Sequence, residues 1–355
     1  MREIALTQPF AWDSLTLKKV NQLSYYRATV WQKSDSSSSK EFSAVGYYFG
    51  KILQEKLNIP IGLINNAIGG SPAEAWIDRA TLENDPLLVN LFDNWENSDF
   101  IDSWVRKRAK ENIKNASEPK FQQHPYKPSY LYTTAIQPYE AFPIAGVIWY
   151  QGESNAGNIE LYEKIFPALV KSWRKGRGYD FPFYYVQLSS MKTGRETWGH
   201  FRDSQRRLLK IVPNTGMAVC SDVGDSVDVH PRNKKPVSER LANWALADYY
   251  NLPVTKSGPL FKKVIYKSNK AVISFSEAKK LKTVDGKSLV SFELAGEDKI
   301  FYPAKALIRG VQILVESSKV TKPAFVRYGW QSFTEGNLIN EAELPASTFS
   351  TEFQK

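Results

Sequence analysis

The sequence predicts an α/β domain followed by a small β-sandwich. Three observations carry this. Short β-branched and aromatic runs alternate with helical periods over about two hundred residues, the pattern of βαβ units and a parallel sheet. The run Gly146-Val147-Ile148-Trp149-Tyr150 breaks abruptly into the polar loop Gln151-Gly152-Glu153-Ser154-Asn155, as a strand of such a sheet does at its carboxyl end. From Ser257 onward short strands separated by Gly, Asp and Lys turns replace the helical period. A chain of 355 residues exceeds one ordinary core. The expected division is residues 1–255 for the α/β domain and 256–355 for the sandwich, joined near Pro253–Gly258.

Residues 1–41 are poorly patterned and end in the polar loop Ser34–Lys40. Apolar residues at 45, 48, 49, 52, 53 and 57 then mark one face of a helix closed by Asn58 and Pro60. Ile61–Asn66 reads as a strand, followed by a Gly69-Gly70 turn. Ser71-Pro72-Ala73-Glu74 reads as a capping box opening a second helix, which makes Ser71 a cap. Residues 78–142 hold helical pieces, the charged stretch Arg106–Lys114, and a Pro- and Tyr-rich passage from Pro125 to Tyr132 expected to run over the surface. After the strand ending at Tyr150, a helix is predicted over Ile159–Arg174 and a strand over Phe183–Leu188. A helix over Phe201–Ile211, a strand over Gly216–Val223 and a helix over Ser238–Tyr249 complete the alternation. In the tail, Ala271–Phe275, Leu289–Leu294, Gln312–Val315 and Phe325–Tyr328 read as strands.

Composition narrows the function classes. The chain is 42% apolar and 24% charged, as globular proteins are, and its 10 Trp, 18 Tyr and 19 Phe are numerous enough to serve cores and sugar-stacking platforms alike. Net charge is +10, yet the Lys and Arg are scattered and no dense basic run interleaves with aromatics, which argues against nucleic acid. The single cysteine, Cys220, allows no intramolecular disulfide and no cysteine-rich metal site, and its apolar surroundings suggest a small buried hydrophobe. No apolar segment is long enough to span a bilayer, so no membrane partner is expected. Met1-Arg2-Glu3-Ile4 leads straight into mixed sequence with no signal peptide, so either the protein is cytoplasmic or the chain begins downstream of its natural start.

Among three histidines, only His230 follows a predicted sheet strand within a loop dense in acids, Asp222, Asp225 and Asp228. A general base needs an acceptor on its second ring nitrogen, which Asp228 or Asp225 can supply. His124 and His200 read as ordinary surface or packing residues. Backbone N–H groups at Gly69-Gly70 suit either an oxyanion or simply a tight turn of positive φ. Gln151, Glu153 and Asn155 bring amides and a carboxylate to the strand end, where polar oxygens are gripped. Ser154 shares that loop, and Ser226 lies in Gly224-Asp225-Ser226, but nothing fixes either hydroxyl as an attacker.

Taken together, Phe-Ser-Ala-Val-Gly (42–46), Pro-Ile-Gly-Leu-Ile-Asn (60–65), Gly-Gly-Ser-Pro-Ala-Glu-Ala-Trp (69–76), Val-Ile-Trp-Tyr-Gln-Gly-Glu-Ser-Asn (147–155), Asp-Val-His-Pro (228–231) and Val-Arg-Tyr-Gly-Trp (326–330) closely resemble the sialate O-acetylesterases of the SGNH hydrolase superfamily. The resemblance runs from about residue 40 to the end. It implies a flavodoxin-like three-layer hydrolase domain with a partial jelly roll, and removal of O-acetyl groups from sialic acid or related sugars without metal or cofactor. By position, Gly70 resembles the backbone oxyanion donor, Gln151 the side-chain donor and His230 the base, with Asp228 its acid partner and Asp225 in reserve. The resemblance also implies periplasmic or secreted placement. Such enzymes carry their nucleophilic serine in a Gly-Gln-Ser-Asn segment that this sequence lacks. The expectation is therefore a chain that begins inside its gene product and keeps base and oxyanion donors without an attacker. An acetylxylan-type esterase and a non-catalytic sugar-binding protein are the rival readings.

Overall fold

The computed structural model describes residues 12–26 and 30–353. The chain forms two compact units, one made of Met1–Val147 with Gln151–Phe183, the other of Ile148–Tyr150 with Tyr184–Lys355. Much of the poorly patterned amino-terminal stretch (residues 1–11 and 27–29) lies outside the described residues.

The first unit is helical. Helix α1 (Ser14–Asn21), not foreseen from the sequence, is capped by Asp13 and buries Leu17 and Val20. Helix α2 (Ala44–Leu57) starts at Ser43, whose Oγ accepts the Gly46 N–H, and stops at Asn58, which takes the left-handed conformation at φ 54°. Of its predicted apolar stripe only Leu53 is buried, together with Gly50. Helices α3 (Arg79–Glu83) and α4 (Ser103–Ile113) follow, and the charged stretch at Arg106–Lys114 is the solvent side of α4, which buries Val105, Ala109 and Ile113. Helix α5 (Ile159–Arg177) exceeds its predicted end by three residues and terminates on Gly178 at φ 74°. Its Ile159, Tyr162, Ile165, Phe166, Leu169 and Trp173 are buried at the spacing of one helical face.

Three expectations fail in this unit. Ile61–Asn66 is not a strand: it has no ladder partner among the described residues, and side chains hold it instead. Asn66 Nδ2 donates to the Ala135 carbonyl (2.7 Å), and Tyr26 Oη donates to the Asn66 carbonyl (2.7 Å). Ser71 is not a helix cap, because only a single 3₁₀ turn, Ala73–Trp76, follows it and that turn has no side-chain cap. The Pro125–Tyr132 passage is not a surface excursion. Tyr126, Tyr130, Leu131 and Tyr132 are buried, Tyr126 edge-on against His124 and Tyr130 against Tyr25, since aromatic rings with hydroxyls that find partners make a core even without regular structure.

The second unit begins with a three-stranded sheet in the order β1 (Val147–Trp149), β2 (Phe183–Gln187), β3 (Thr215–Val219). Helix α6 (Trp198–Ile211) links β2 to β3, a crossover that makes those strands parallel. After β3 comes helix α7 (Lys235–Trp244), whose Trp244 indole donates to the Met217 carbonyl (3.0 Å). A Cβ at Gly216 would meet that ring at 2.4 Å, so the glycine admits the helix to the strand. The remainder is β. One antiparallel sheet orders β4 (Leu260–Lys267), β5 (Lys270–Ser276), β10 (Gln312–Glu316) and β9 (Lys305–Arg309). A second orders β13 (Phe349–Ser350), β11 (Phe325–Tyr328), β7 (Phe292–Ala295) and β8 (Tyr302–Pro303). A two-stranded pair joins β12 (Leu338–Asn340) to β6 (Leu281–Thr283). Alternate residues Ala271, Ile273 and Phe275 of β5 and Ile313 and Val315 of β10 face a core shared with Phe292, Leu294, Val326, Tyr328 and Phe349. Within this unit Arg202 of α6 is fully buried and donates to the carbonyls of Gly329 and Gln331 and to Ser190 Oγ. No helix among the described residues is long and apolar enough to cross a membrane.

Candidate active site

The loop leaving β1 folds back on itself: the Asn155 N–H donates to the Gly152 carbonyl and the Asn158 N–H to the Asn155 carbonyl. This turns Asn155 inward, 7% exposed, to become the hub of a buried network. Its Oδ1 accepts the Ala73 N–H (2.9 Å) and Gln151 Nε2 (2.6 Å), and its Nδ2 donates to Glu74 Oε2 (2.9 Å). The orientation of both amides follows. A backbone N–H can only donate, so the Asn155 atom facing Ala73 is oxygen, and the Gln151 atom facing that oxygen must be nitrogen. Gln151 Nε2 also reaches the Ser71 carbonyl at 3.3 Å, while its Oε1 is buried without a hydrogen bond. The 3.3 Å contact is the longer and weaker of the two.

Glu74 sits at the base of this network. It is 0% exposed, its Oε1 makes no hydrogen bond, and burial pushes its carboxyl up to about 7 against the pull of the Asn155 hydrogen bond. Sequence reasoning cast Glu74 as the far end of a capping box. The signal that finds it is a carboxylate inside an otherwise apolar Pro-Ala-Glu-Ala-Trp stretch.

Gly70 adopts φ +74°, and a Cβ there would stand 2.6 Å from Tyr126 Oη and 2.7 Å from Trp104, so both backbone and space demand glycine. Its N–H makes no hydrogen bond among the described residues. The carbonyls of the turn are taken: Tyr126 Oη donates to Gly69 (2.9 Å) and Ser154 Oγ to Gly70 (2.9 Å). Ser71 Oγ donates to the Ile68 carbonyl (2.8 Å) and accepts the Trp76 indole N–H (2.9 Å). Both serines are 3% exposed, and each hydroxyl proton rests on a backbone carbonyl.

His230 lies in the second unit, in the loop between β3 and α7. The three neighbouring acids have separate tasks. Asp222 holds Arg240 through two bonds of 2.6 and 2.7 Å. Asp225 Oδ1 accepts the Val227 N–H (2.8 Å) and, more weakly, the Asp228 N–H (3.3 Å), which shapes the turn. Asp228 Oδ1 accepts the His230 N–H (2.8 Å) and lies 3.5 Å from His230 Nδ1, and chiefly that backbone bond holds its carboxyl below the usual range. The His230 side chain is 83% exposed. Thus Gly70, Gln151, Ser154, Asn155 and Glu74 are brought together in one unit, and His230 with Asp228 in the other. Ser226 shares the His230 loop, where its carbonyl accepts the Lys192 N–H.

The other histidines pack. His124 is fully buried and stacked on Trp12 at 4.8 Å. Its Nδ1 accepts the Tyr126 N–H (2.9 Å), and its Nε2 lies 3.1 Å from the Asn112 amide. His200 stacks on Phe353 at 3.7 Å. Among the described residues no group of three or more His, Cys, Asp or Glu is placed to hold a metal.

The profile of carbohydrate esterases described as sialic acid-specific acetylesterases matches residues 12–246. The chain belongs to this family. Sialate O-acetylesterase of Mus musculus is 32% identical over 251 residues, 62% of this chain and 46% of the relative. The Homo sapiens sialate O-acetylesterase is 32% identical over 273 residues, 69% and 48% respectively. The chain thus spans about half the length of these relatives. A carbohydrate acetylesterase from Xanthomonas citri has a crystal structure that superposes with a TM-score of 0.78 at 34% identity, covering 93% of this chain and 70% of that one. Family membership and this likeness agree with a carboxylic ester hydrolase on a mixed α/β fold.

Proposed function

We propose that this family member serves a carbohydrate esterase reaction that removes O-acetyl groups from sialic acid or a related sugar by serine-type acyl transfer on an SGNH-type scaffold. The observation that carries the proposal is the unengaged Gly70 N–H in a turn that only glycine can form, beside the oriented Gln151 amide. Two such donors suit the negative oxygen that develops when an ester carbonyl is attacked. In the reaction a serine oxygen bonds to the acetyl carbon as its proton passes to His230 Nε2. The sugar oxygen leaves with that proton, and water repeats the sequence to free acetate. Asp228, with Oδ1 3.5 Å from His230 Nδ1, is the acid assigned to orient the imidazole with Nε2 as the basic nitrogen. No membrane or nucleic acid takes part, and periplasmic or secreted placement fits a soluble sugar ester.

Ser71 and Ser154 are buried with their protons on carbonyls, which disfavours either as the attacker, and Ser226 stands in the His230 loop with no donor assigned to it. With no serine assigned as attacker, p-nitrophenyl acetate hydrolysis several orders of magnitude slower than that of serine esterases is the expected outcome. Acetate release from O-acetylated sialic acid and from acetylated xylan, measured alongside, separates sugar preference from loss of turnover. Fast turnover abolished by Ser154→Ala or Ser226→Ala would overturn the assignment of the serines.

A further inference from the structure

Glu74 is a buried acid whose side chain reaches a single neighbouring residue. Oε1 meets no donor, and Oε2 accepts from Asn155 Nδ2 at 2.9 Å. An apolar side chain of the same length would fill the site without the cost of burying a carboxyl. The main chain around it is clamped on every side. The Glu74 carbonyl accepts the Ser129 N–H (3.0 Å), Trp76 Nε1 donates to Ser71 Oγ (2.9 Å), and Trp173 Nε1 donates to the Trp76 carbonyl (2.7 Å). All four residues of the turn Ala73–Trp76 are buried. The carboxyl thus stands at a fixed place, as a group that sets the geometry of another must.

The group it sets is Asn155. On one side the Asn155 oxygen takes the Ala73 N–H (2.9 Å) and Gln151 Nε2 (2.6 Å), and on the other its nitrogen meets Glu74. Half a turn of this amide would bring oxygen against oxygen at Glu74 and N–H against N–H at Ala73 and Gln151. The Ala73 N–H by itself tolerates a range of tilts, and an acceptor on the opposite side removes that freedom. Gln151 comes next in line. Its Oε1 has no hydrogen bond, and its Nε2 holds Asn155 at 2.6 Å and the Ser71 carbonyl only at 3.3 Å. The bond to Asn155 is therefore what decides where the Gln151 amide lies.

Resting on the esterase reading above, we infer that Glu74 is a positioning residue for that reaction: through Asn155 it locks the Gln151 amide with its NH₂ group on the Ser71 side, beside the Gly70 turn. Glu74 touches no substrate in this role. Its contribution is the placement of an acceptor, which a neutral amide at the same position can also supply.

The test is solvent exchange of the Gln151 side-chain NH₂ protons, read by NMR on protein labelled with ¹⁵N-glutamine, the signal being identified by its loss in Gln151→Leu. In Glu74→Gln the new amide oxygen still reaches Asn155, and exchange should stay within about threefold of the parent. Glu74→Met fills the same space without an acceptor, and exchange should rise about tenfold or more. The backbone amides of Ile165 and Leu169 in α5 should keep their rates in both variants, which separates release of one amide from loosening of the unit. If Glu74→Met does not fold, Glu74→Asp, whose carboxyl stops one methylene short of Asn155, replaces it with the same expected rise. Unchanged exchange where the acceptor is lost, an equal rise in Glu74→Gln, or parallel acceleration at Ile165 and Leu169 would overturn the inference. No turnover enters these measurements, so failure of the esterase reading shows separately, in acetate release.

Discussion

Glu74 offers a test of the buried network that needs no substrate. Its carboxyl is raised from 4.5 to about 7 by complete burial, against the pull of Asn155 Nδ2 on Oε2 and of the Glu74 backbone N–H. Between those two values the native state keeps a proton that the unfolded chain has released. Stability from this group is therefore greatest on the acid side and is lost as pH rises through about 7. At about 1.4 kcal/mol per pH unit, the loss amounts to roughly 3 kcal/mol by pH 8. Glu74→Gln removes the titration while its amide oxygen can still accept from Asn155, and its NH₂ group adds a pH-independent cost of about 1–3 kcal/mol if left unpaired. Urea unfolding of both proteins at half-unit steps from pH 4.5 to 8 isolates the effect, since every other titrating group cancels in the difference. The variant should gain roughly 3 kcal/mol relative to the parent across that range. A difference constant to within about 0.5 kcal/mol would refute the reasoning, because it would mean that the carboxyl is hydrated or otherwise paired.

Two further outcomes follow from the same unit. Gly70→Ala should lower stability by about 2–4 kcal/mol through the strained backbone and the clash with Tyr126 and Trp104, whereas Gly69→Ala, with nothing within 4 Å of its Cβ, should change the urea midpoint little. His124, pushed down to about 3 by burial and by the nearby Arg108 charge, must stay neutral to remain folded in place. The unfolded chain takes up its proton below 6.5, so stability falls as pH drops from 6.5 towards 3, and His124→Gln should flatten that part of the profile.

The strands and helices around the polar loop were legible because their periods are strong. Ile159, Tyr162, Ile165, Phe166 and Leu169 repeat at helical spacing, and Phe183–Gln187 is a short β-rich apolar run bounded by turn signals. Ile61–Asn66 has the same local character as Phe183–Gln187 and still forms no strand, since a ladder needs a neighbour that local sequence does not reveal. The Pro125–Tyr132 passage misled for the opposite reason: proline and tyrosine read as surface, while stacking around His124 is a tertiary fact. In the site, Gly70 and Asn155 stood out by type and position. Glu74 did not, because Ser-x-x-Glu has a commoner local meaning, and only the packing of Asn155 shows which partner the carboxylate chose.

Arg202 has an implication for how this polypeptide can be divided. Burial without a counter-ion brings its guanidinium down to about 9, and what keeps it tolerable is a set of main-chain oxygens contributed more than a hundred residues later, at Gly329 and Gln331. A fragment ending near residue 255 would lose those two carbonyls and keep only Ser190 Oγ of the acceptors named above, with the buried face around the guanidinium opened to water. Trimming the β-rich tail to obtain a smaller soluble piece is thus a poor strategy: shortened versions should precipitate or be degraded in the host, while full-length material with Arg202 intact persists.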